Sequence, residues 1–109
     1  MLILLRNKAD AETLKKVAED LDGYIKVVVD TELEILTAGG TRHFEGEQLL
    51  LQEGSKQSDL WGGGLDLETG EMDYDSMINI RPTQENPSRT VLAQDIRKKM
   101  DIIIGALLK

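Results

Sequence analysis

The chain has 109 residues, a length that suits one domain with a single core. It contains no cysteine, which excludes disulfide bonds, thiolate zinc sites and a cysteine nucleophile, and which fits a reducing cytoplasm. The formal net charge of -7 argues against a nucleic-acid-binding surface, because such a surface needs clustered Lys and Arg. No apolar run reaches membrane length, and the amino-terminal run lacks the features of a signal peptide. We therefore expect one cytoplasmic domain over residues 1–109, with neither nucleic acid nor membrane as a partner.

The first part of the chain alternates strands with a helix. The apolar run at residues 2–5 predicts a buried strand. Asp10 can cap the helix that follows, because its carboxylate accepts the free N–H groups of a first helical turn. Residues 24–29 are rich in β-branched side chains and predict a central strand, and residues 33–36 return beside it as a hairpin.

The second part predicts a short helix, a second hairpin and a long last helix. Three consecutive leucines in residues 44–55 favour a short helix, which Gly54 can end. Alternating apolar residues on both sides of a Thr-Gly turn predict a hairpin whose second strand spans residues 71–81, unless residues 74–76 interrupt it. Asp95 is placed to cap the last helix, whose apolar residues recur at helical spacing.

This order of elements predicts an α+β domain. We expect one mostly antiparallel sheet of four or five strands in two hairpins, with two longer helices and one short helix packed on a face. Ile102 and Leu108 widen the apolar stripe of the last helix, which indicates either deep burial or a homodimer contact. The sequence therefore leaves open a protein-interaction or assembly module that dimerises through this helix.

Polar residues around two loops rich in Gly and Pro suggest a binding site. Arg81 ends a predicted strand, and Pro82 fixes the direction in which the next loop leaves. Two arginines with amide and hydroxyl donors suit a phosphate or carboxylate, although the arginines could instead pair with acids. Trp61 precedes three glycines and is either a pocket wall or a core aromatic that a strand crosses. We hypothesise a site for a small anionic ligand made of Asp59, Trp61, Asn79, Arg81, Ser88 and Arg89.

Four other residues are weaker candidates: Asp30, His43, Ser55 and Gln57. The acidic turn that begins at Asp30 is more typical of a solvated turn than of a metal site, and we expect no metal. His43 is the only histidine, and a lone histidine is more often a loop residue than a general base. A hydrolase that combines His43 with Ser55 or Asp30 is the most distant hypothesis, because no Gly-x-Ser-x-Gly elbow is present. These residues indicate no particular cofactor.

The segments "GSKQSDLWGGG" and "INIRP", with "IKVVVDTELEILTAGG" before them, resemble an uncharacterised family of short prokaryotic proteins, a domain of unknown function. The likeness extends over nearly the whole chain. It implies a compact cytoplasmic prokaryotic protein and no particular reaction. By this resemblance the family-motif positions are Asp30, His43, Ser55, Gln57, Asp59, Trp61, Asn79, Arg81, Ser88 and Arg89.

Overall fold

A five-stranded antiparallel sheet with three α-helices is the framework of the computed structural model, which describes residues 1–109. The spatial order of the strands is β1-β3-β2-β4-β5, which confirms the α+β prediction. The strands are β1 (Leu2–Leu5), β2 (Tyr24–Asp30), β3 (Ile35–Gly39), β4 (Leu60–Asp66) and β5 (Met72–Asp73). The helices are α1 (Ala11–Glu19), α2 (His43–Gln52) and α3 (Gln94–Leu108).

The sheet is covered on both faces, whereas packing on a single face was predicted. Val27 and Val29 of the central strand β2 belong to the larger apolar cluster, which includes side chains of α1 and α3. Val28 points the opposite way and packs with Leu50 of α2 in a second cluster. A strand with apolar side chains on both of its faces has to be covered on both sides. This is the physical reason for the second helical layer.

The β2–β3 hairpin is confirmed, and its turn depends on one carboxylate. Oδ1 of Asp30 accepts hydrogen bonds from the backbone N–H groups of Glu32 and Leu33, each 2.9 Å long. An aspartate that bonds to the backbone two and three residues on mimics a backbone turn. The turn therefore forms without the Asn-Gly or Asp-Gly pair that short hairpins favour.

The two predicted helix caps have different outcomes. Asp10 caps α1, because its Oδ1 accepts a 2.8 Å hydrogen bond from Thr13 N. The predicted cap at Asp95 is wrong: α3 begins at Gln94, its cap position is Ala93, and no side chain caps it. Asp95 instead lies inside the first turn, where its negative charge interacts favourably with the helix dipole.

The second hairpin is confirmed, but its returning strand is much shorter than predicted. β5 ends at Asp73, and 3₁₀ turns at Met77–Asn79 and Pro82–Gln84 replace the expected strand. Backbone groups of this segment bond to residues 86–91 rather than extending the ladder with β4. Ile80, one of the alternating apolar residues that the predicted strand would have placed in the core, is therefore 40% exposed.

The broad apolar surface of α3 is mostly explained by burial. Met100, Ile103, Ile104, Leu107 and Leu108 are buried in the domain. Ile102 is 67% exposed, and a homodimer through this helix stays a prediction. No helix is long and apolar enough to cross a membrane.

Two glycine substitutions test how closely the chain packs against β4. A methyl group added at Gly62 would lie 2.6 Å from Cβ of Ser76, so we expect Gly62→Ala to destabilise the protein by about 2 kcal/mol. Gly105 is the matched control, because it lies in α3 and a methyl group there meets nothing within 4 Å. Gly105→Ala should stabilise the protein by up to about 1 kcal/mol through helix propensity. Urea unfolding measures both, and a Gly62→Ala protein as stable as the wild type would contradict this packing.

Candidate functional site

A pocket of about 560 Å³ opens at the amino end of α2, on the side of the sheet that α2 covers. We call it the α2 pocket. Three parts of the chain form it: the start of β2, the segment that enters α2, and the irregular chain after β5. Its lining residues are Tyr24, Lys26, Thr41, Arg42, His43, Phe44, Asp73, Asp75, Ser76, Met77, Ile78 and Arg89.

The glycines of β4 let two rings lie directly on the strand backbone. A methyl group at Gly64 would lie 1.8 Å from the Tyr24 hydroxyl, so the Tyr24 ring occupies the place of a side chain there. A methyl group at Gly62 would lie 2.8 Å from Ser76 Oγ and 3.2 Å from His43 Cδ2. The triple glycine therefore serves close approach of ring and hydroxyl groups to the sheet.

His43 is held in one orientation by the strand beneath it. Its Nε2 lies 2.6 Å from the carbonyl oxygen of Gly63, and a carbonyl can only accept, so Nε2 donates. Nδ1 has no hydrogen-bond partner in the protein. Burial is the main cause that lowers the pKa of His43, and Lys26 lowers it further, whereas the bond to Gly63 opposes the shift. We therefore expect a neutral ring at neutral pH, with a free acceptor at Nδ1.

The two carboxylates of the α2 pocket are satisfied by uncharged donors. Asp73 Oδ2 accepts a 2.5 Å hydrogen bond from the Tyr24 hydroxyl. Asp75 Oδ1 accepts a 2.6 Å hydrogen bond from the Thr90 hydroxyl. Burial, and then the bond to Asp73, raise the pKa of Tyr24, which keeps this phenol protonated. Both acids are thus engaged without a cation.

The three cations of the α2 pocket have no acidic partner. Lys26, Arg42 and Arg89 take part in no ion pair and donate no side-chain hydrogen bond. Lack of an ion pair does not by itself set them apart, because only Arg6 and Lys99 among the 13 basic side chains form one. What distinguishes Lys26, Arg42 and Arg89 is that they line the same pocket. No side chain caps the start of α2 either, and the first N–H groups of a helix have no partner within the helix.

Arg81, the most important residue of the sequence-based site, has internal partners. Its guanidinium lies 4.0 Å from the ring centroid of Trp61 and donates to the backbone carbonyls of Gln57 and Leu60. Burial lowers the pKa of Arg81, and the Glu47 carboxylate opposes that effect. The sequence left open that Arg81 pairs with an acid. In the structure, backbone carbonyl groups and an aromatic face supply its contacts instead.

Asn79 joins three segments from a fully buried position. Its Oδ1 accepts from Gly62 N at 2.8 Å, and its Nδ2 lies 2.9 Å from the carbonyl oxygen of the same residue. Nδ2 also contacts the carbonyl oxygens of Tyr74 and Arg89 at 3.0 Å each. The amide therefore replaces the missing ladder between β4 and the chain after β5.

Three buried side-chain atoms have no hydrogen-bond partner: Thr37 Oγ1, Glu47 Oε2 and Arg81 Nε. Glu47 is the only acid whose charge opposes the effect of burial on the pKa of Arg81. Removing the Arg81 guanidinium would leave this buried carboxylate without a compensating charge.

Another group of candidate residues lies at a separate pocket of about 430 Å³ beside the β2–β3 turn, lined in part by Asp30, Ser55 and Asp59. The Ser55 hydroxyl donates to Asp30 Oδ2 at 2.6 Å, whereas His43 contacts Gly63. The structure therefore does not assemble Ser55 with His43. No group of three or more His, Asp or Glu side chains could hold a metal ion.

The residues proposed from the sequence thus fall into three places. His43 and Arg89 line the α2 pocket; Trp61, Asn79 and Arg81 form an internal cluster, to which Gln57 supplies a carbonyl. Asp30, Ser55 and Asp59 lie at the second pocket, while the Ser88 hydroxyl accepts from the backbone N–H of Thr90.

Sequence reasoning missed Lys26, Arg42, Tyr24 and Asp73. The one available signal was Lys26, a lone cation inside the apolar strand "YIKVVV".

Arg81 and Arg89 form a matched pair for a stability test. Arg81→Ala removes charged hydrogen bonds to buried carbonyls, so we expect a loss of about 3 kcal/mol in the free energy of unfolding. Arg89 has an exposed side chain without protein partners, and Arg89→Ala should change stability by less than about 0.5 kcal/mol. Urea denaturation compares the two, and equal stabilities would show that the internal contacts of Arg81 contribute little.

His43 should make stability depend on pH in a defined direction. The unfolded histidine gains a proton below its ordinary pKa of 6.5, whereas the folded one, with its lowered pKa, resists protonation. The contribution is therefore fully present above pH 6.5 and is lost as the pH falls towards the folded pKa. Against His43→Gln, the wild type should lose stability on acidification from pH 7.5 to 5. Urea unfolding across this range measures it, and a gain relative to the variant would mean that the fold favours the charged ring.

Comparison with known proteins gives a family and no activity. Neither a search of curated proteins nor a search of solved structures finds a match. The family described as protein of unknown function (DUF5674) matches residues 3–107, which is nearly the whole chain and confirms the resemblance noted in the sequence. On the evidence of that match, the chain belongs to the DUF5674 family.

Proposed function

We propose that the α2 pocket binds a small anionic molecule carrying a phosphate or carboxylate group. The observation that supports this most is the set of three cations, Lys26, Arg42 and Arg89, that line one pocket and have no acidic partner. Most basic side chains of this protein form no ion pair, so the argument depends on the gathering of three of them in one pocket. An anionic ligand supplies the missing partner.

The acids in the α2 pocket reduce its net positive charge, but they form no ion pair with its three cations. Asp73 and Asp75 already accept hydrogen bonds from the hydroxyl groups of Tyr24 and Thr90. Arginine presents a planar fork of donors that matches the two oxygens of a carboxylate or phosphate. Arg42 and Arg89 therefore supply direction, and Lys26, half-buried on β2, supplies a point charge.

The start of α2 adds a second source of donors. α2 is ten residues long, and its cap position, Arg42, makes no side-chain capping bond. Uncapped N–H groups and the positive end of the helix dipole favour an anion at this position. The turn that directs the chain into α2 contains Gly39 and Gly40 with φ of +98° and +77°, which only glycine adopts easily. The backbone thus fixes where these donors lie.

This proposal keeps the ligand class expected from the sequence and changes the residues. His43 and Arg89 are retained as site residues. Arg81 instead holds the carbonyl groups of Gln57 and Leu60 at the entry to β4, outside the lining of the α2 pocket. Binding at the α2 pocket therefore does not require Arg81 to touch the ligand.

Methyl phosphate at pH 7.5 is a suitable probe, with ionic strength held constant by sodium chloride. A ¹H–¹⁵N NMR titration should shift the amide signals of residues 41–44, the segment that enters α2. Arg42→Gln and Arg89→Gln should each weaken binding about tenfold, because a charge-assisted hydrogen bond contributes roughly 1.5–3 kcal/mol.

Arg6→Gln is the matched control, since it removes the same charge from an exposed residue paired with Glu53 outside the pocket. It should leave the affinity unchanged. Equal weakening by all three substitutions would show that methyl phosphate responds only to net charge. Absence of shifts at residues 41–44 would overturn the α2 pocket as the anion site.

A further inference from the structure

The rim of the α2 pocket carries apolar side chains that its charged groups do not explain. Phe44, in the first turn of α2, is 58% exposed, and Met77, in a 3₁₀ turn after β5, is 65% exposed. Ile78 lines the same pocket. The three come from two separate elements, and the fold brings them together beside the unpaired cations. Exposed apolar side chains at a polar cleft are the usual lining of a site for an organic ligand.

The wall of the α2 pocket is also rich in rings. The chain has one Phe, two Tyr and one His, and Phe44, Tyr24 and His43 all line this pocket. Tyr24 and His43 lie on the glycines of β4, so their positions are fixed by the strand. Aromatic rings prefer offset or edge-to-face contact with another ring, and a methionine sulfur interacts well with a ring edge.

The volume of the α2 pocket points the same way. At about 560 Å³ it is far larger than an inorganic anion needs, since one water in the liquid takes roughly 30 Å³. Drug-sized organic ligands occupy pockets of about 300–1,000 Å³. A bare phosphate at Arg42 and Arg89 would leave most of the space, and the apolar rim, in contact with water.

We propose that the ligand of the α2 pocket is an aromatic organic anion, whose charged group meets Arg42 and Arg89 and whose ring lies against Phe44 and Met77. This inference rests on the proposed function and goes further, because it specifies the body of the ligand. Transfer of an aromatic ring from water to this rim supplies affinity that a small anion lacks.

The test compares two probes that share a head group and differ in the body: phenyl phosphate and methyl phosphate, both titrated by ¹H–¹⁵N NMR at pH 7.5 and constant ionic strength. Phenyl phosphate should bind about tenfold more tightly or better, as expected for burying a ring of this size. Phe44→Ala should remove most of that preference and leave the affinity for methyl phosphate unchanged. Ile102→Ala, which truncates an equally exposed side chain on α3, is the control and should change neither value.

The outcomes separate the two proposals. If methyl phosphate binds through Arg42 but phenyl phosphate binds no more tightly, the aromatic ligand is excluded and the anion site stands. If Phe44→Ala weakens both probes equally, Phe44 acts through the shape of α2, and the inference fails. If neither probe binds, both proposals fail. Light scattering identifies one remaining occupant: a dimer of the wild type that Phe44→Ala dissociates would show that the rim contacts a second copy instead.

Discussion

The close approach of other chain segments to the bare backbone of β4 is the constraint on which the rest of the structure depends. At Gly62 and Gly64 the strand has no side chain. The Tyr24 ring lies where a side chain of residue 64 would be, and Ser76, with His43 beside it, fills the corresponding place at residue 62. The start of α2 is thereby placed against the sheet, and the chain after β5 passes close enough for Asn79 to bond to Gly62. The α2 pocket is the space left between these segments.

The polar side chains near β4 are of two kinds: those that have hydrogen-bond partners within the protein and those that have none. Asn79 and the guanidinium of Arg81 bond to backbone groups that would otherwise be buried and unpaired, which is a structural role. Asp73 receives a neutral donor from Tyr24 and keeps its negative charge, but it forms no ion pair with a nearby cation. Arg42 and Arg89 line the α2 pocket without protein partners, which leaves their donors available to the anion that we propose.

Most residues of the sequence-based site do not line the α2 pocket, for one physical reason. Arg81 and Trp61 were grouped because a rigid strand end followed by proline presents a side chain well, and the structure does bring the two together, with the guanidinium over the ring. However, the strand that was to carry Arg81 ends at Asp73, and its place is taken by 3₁₀ turns held by side-chain bonds to the backbone. Alternation of apolar and polar residues cannot reveal that a serine or asparagine side chain bonds to the backbone in place of the hydrogen bonds between two strands.

The sequence by itself determined the class of the fold, the β2–β3 hairpin, the capped start of α1 and the helical spacing of apolar residues in α3, because these follow from local periodicity, turn chemistry and capping. The apolar run at residues 27–29 of β2 also indicates cover on both faces, whereas the sequence-based prediction placed the helices on a single face. Only the tertiary structure decided which polar residues meet. Lys26, Arg42 and Arg89 are far apart along the chain. Their charges gather in one pocket because antiparallel pairing of β2 with β4 and the glycine turn before α2 bring three distant segments to the same face of the sheet.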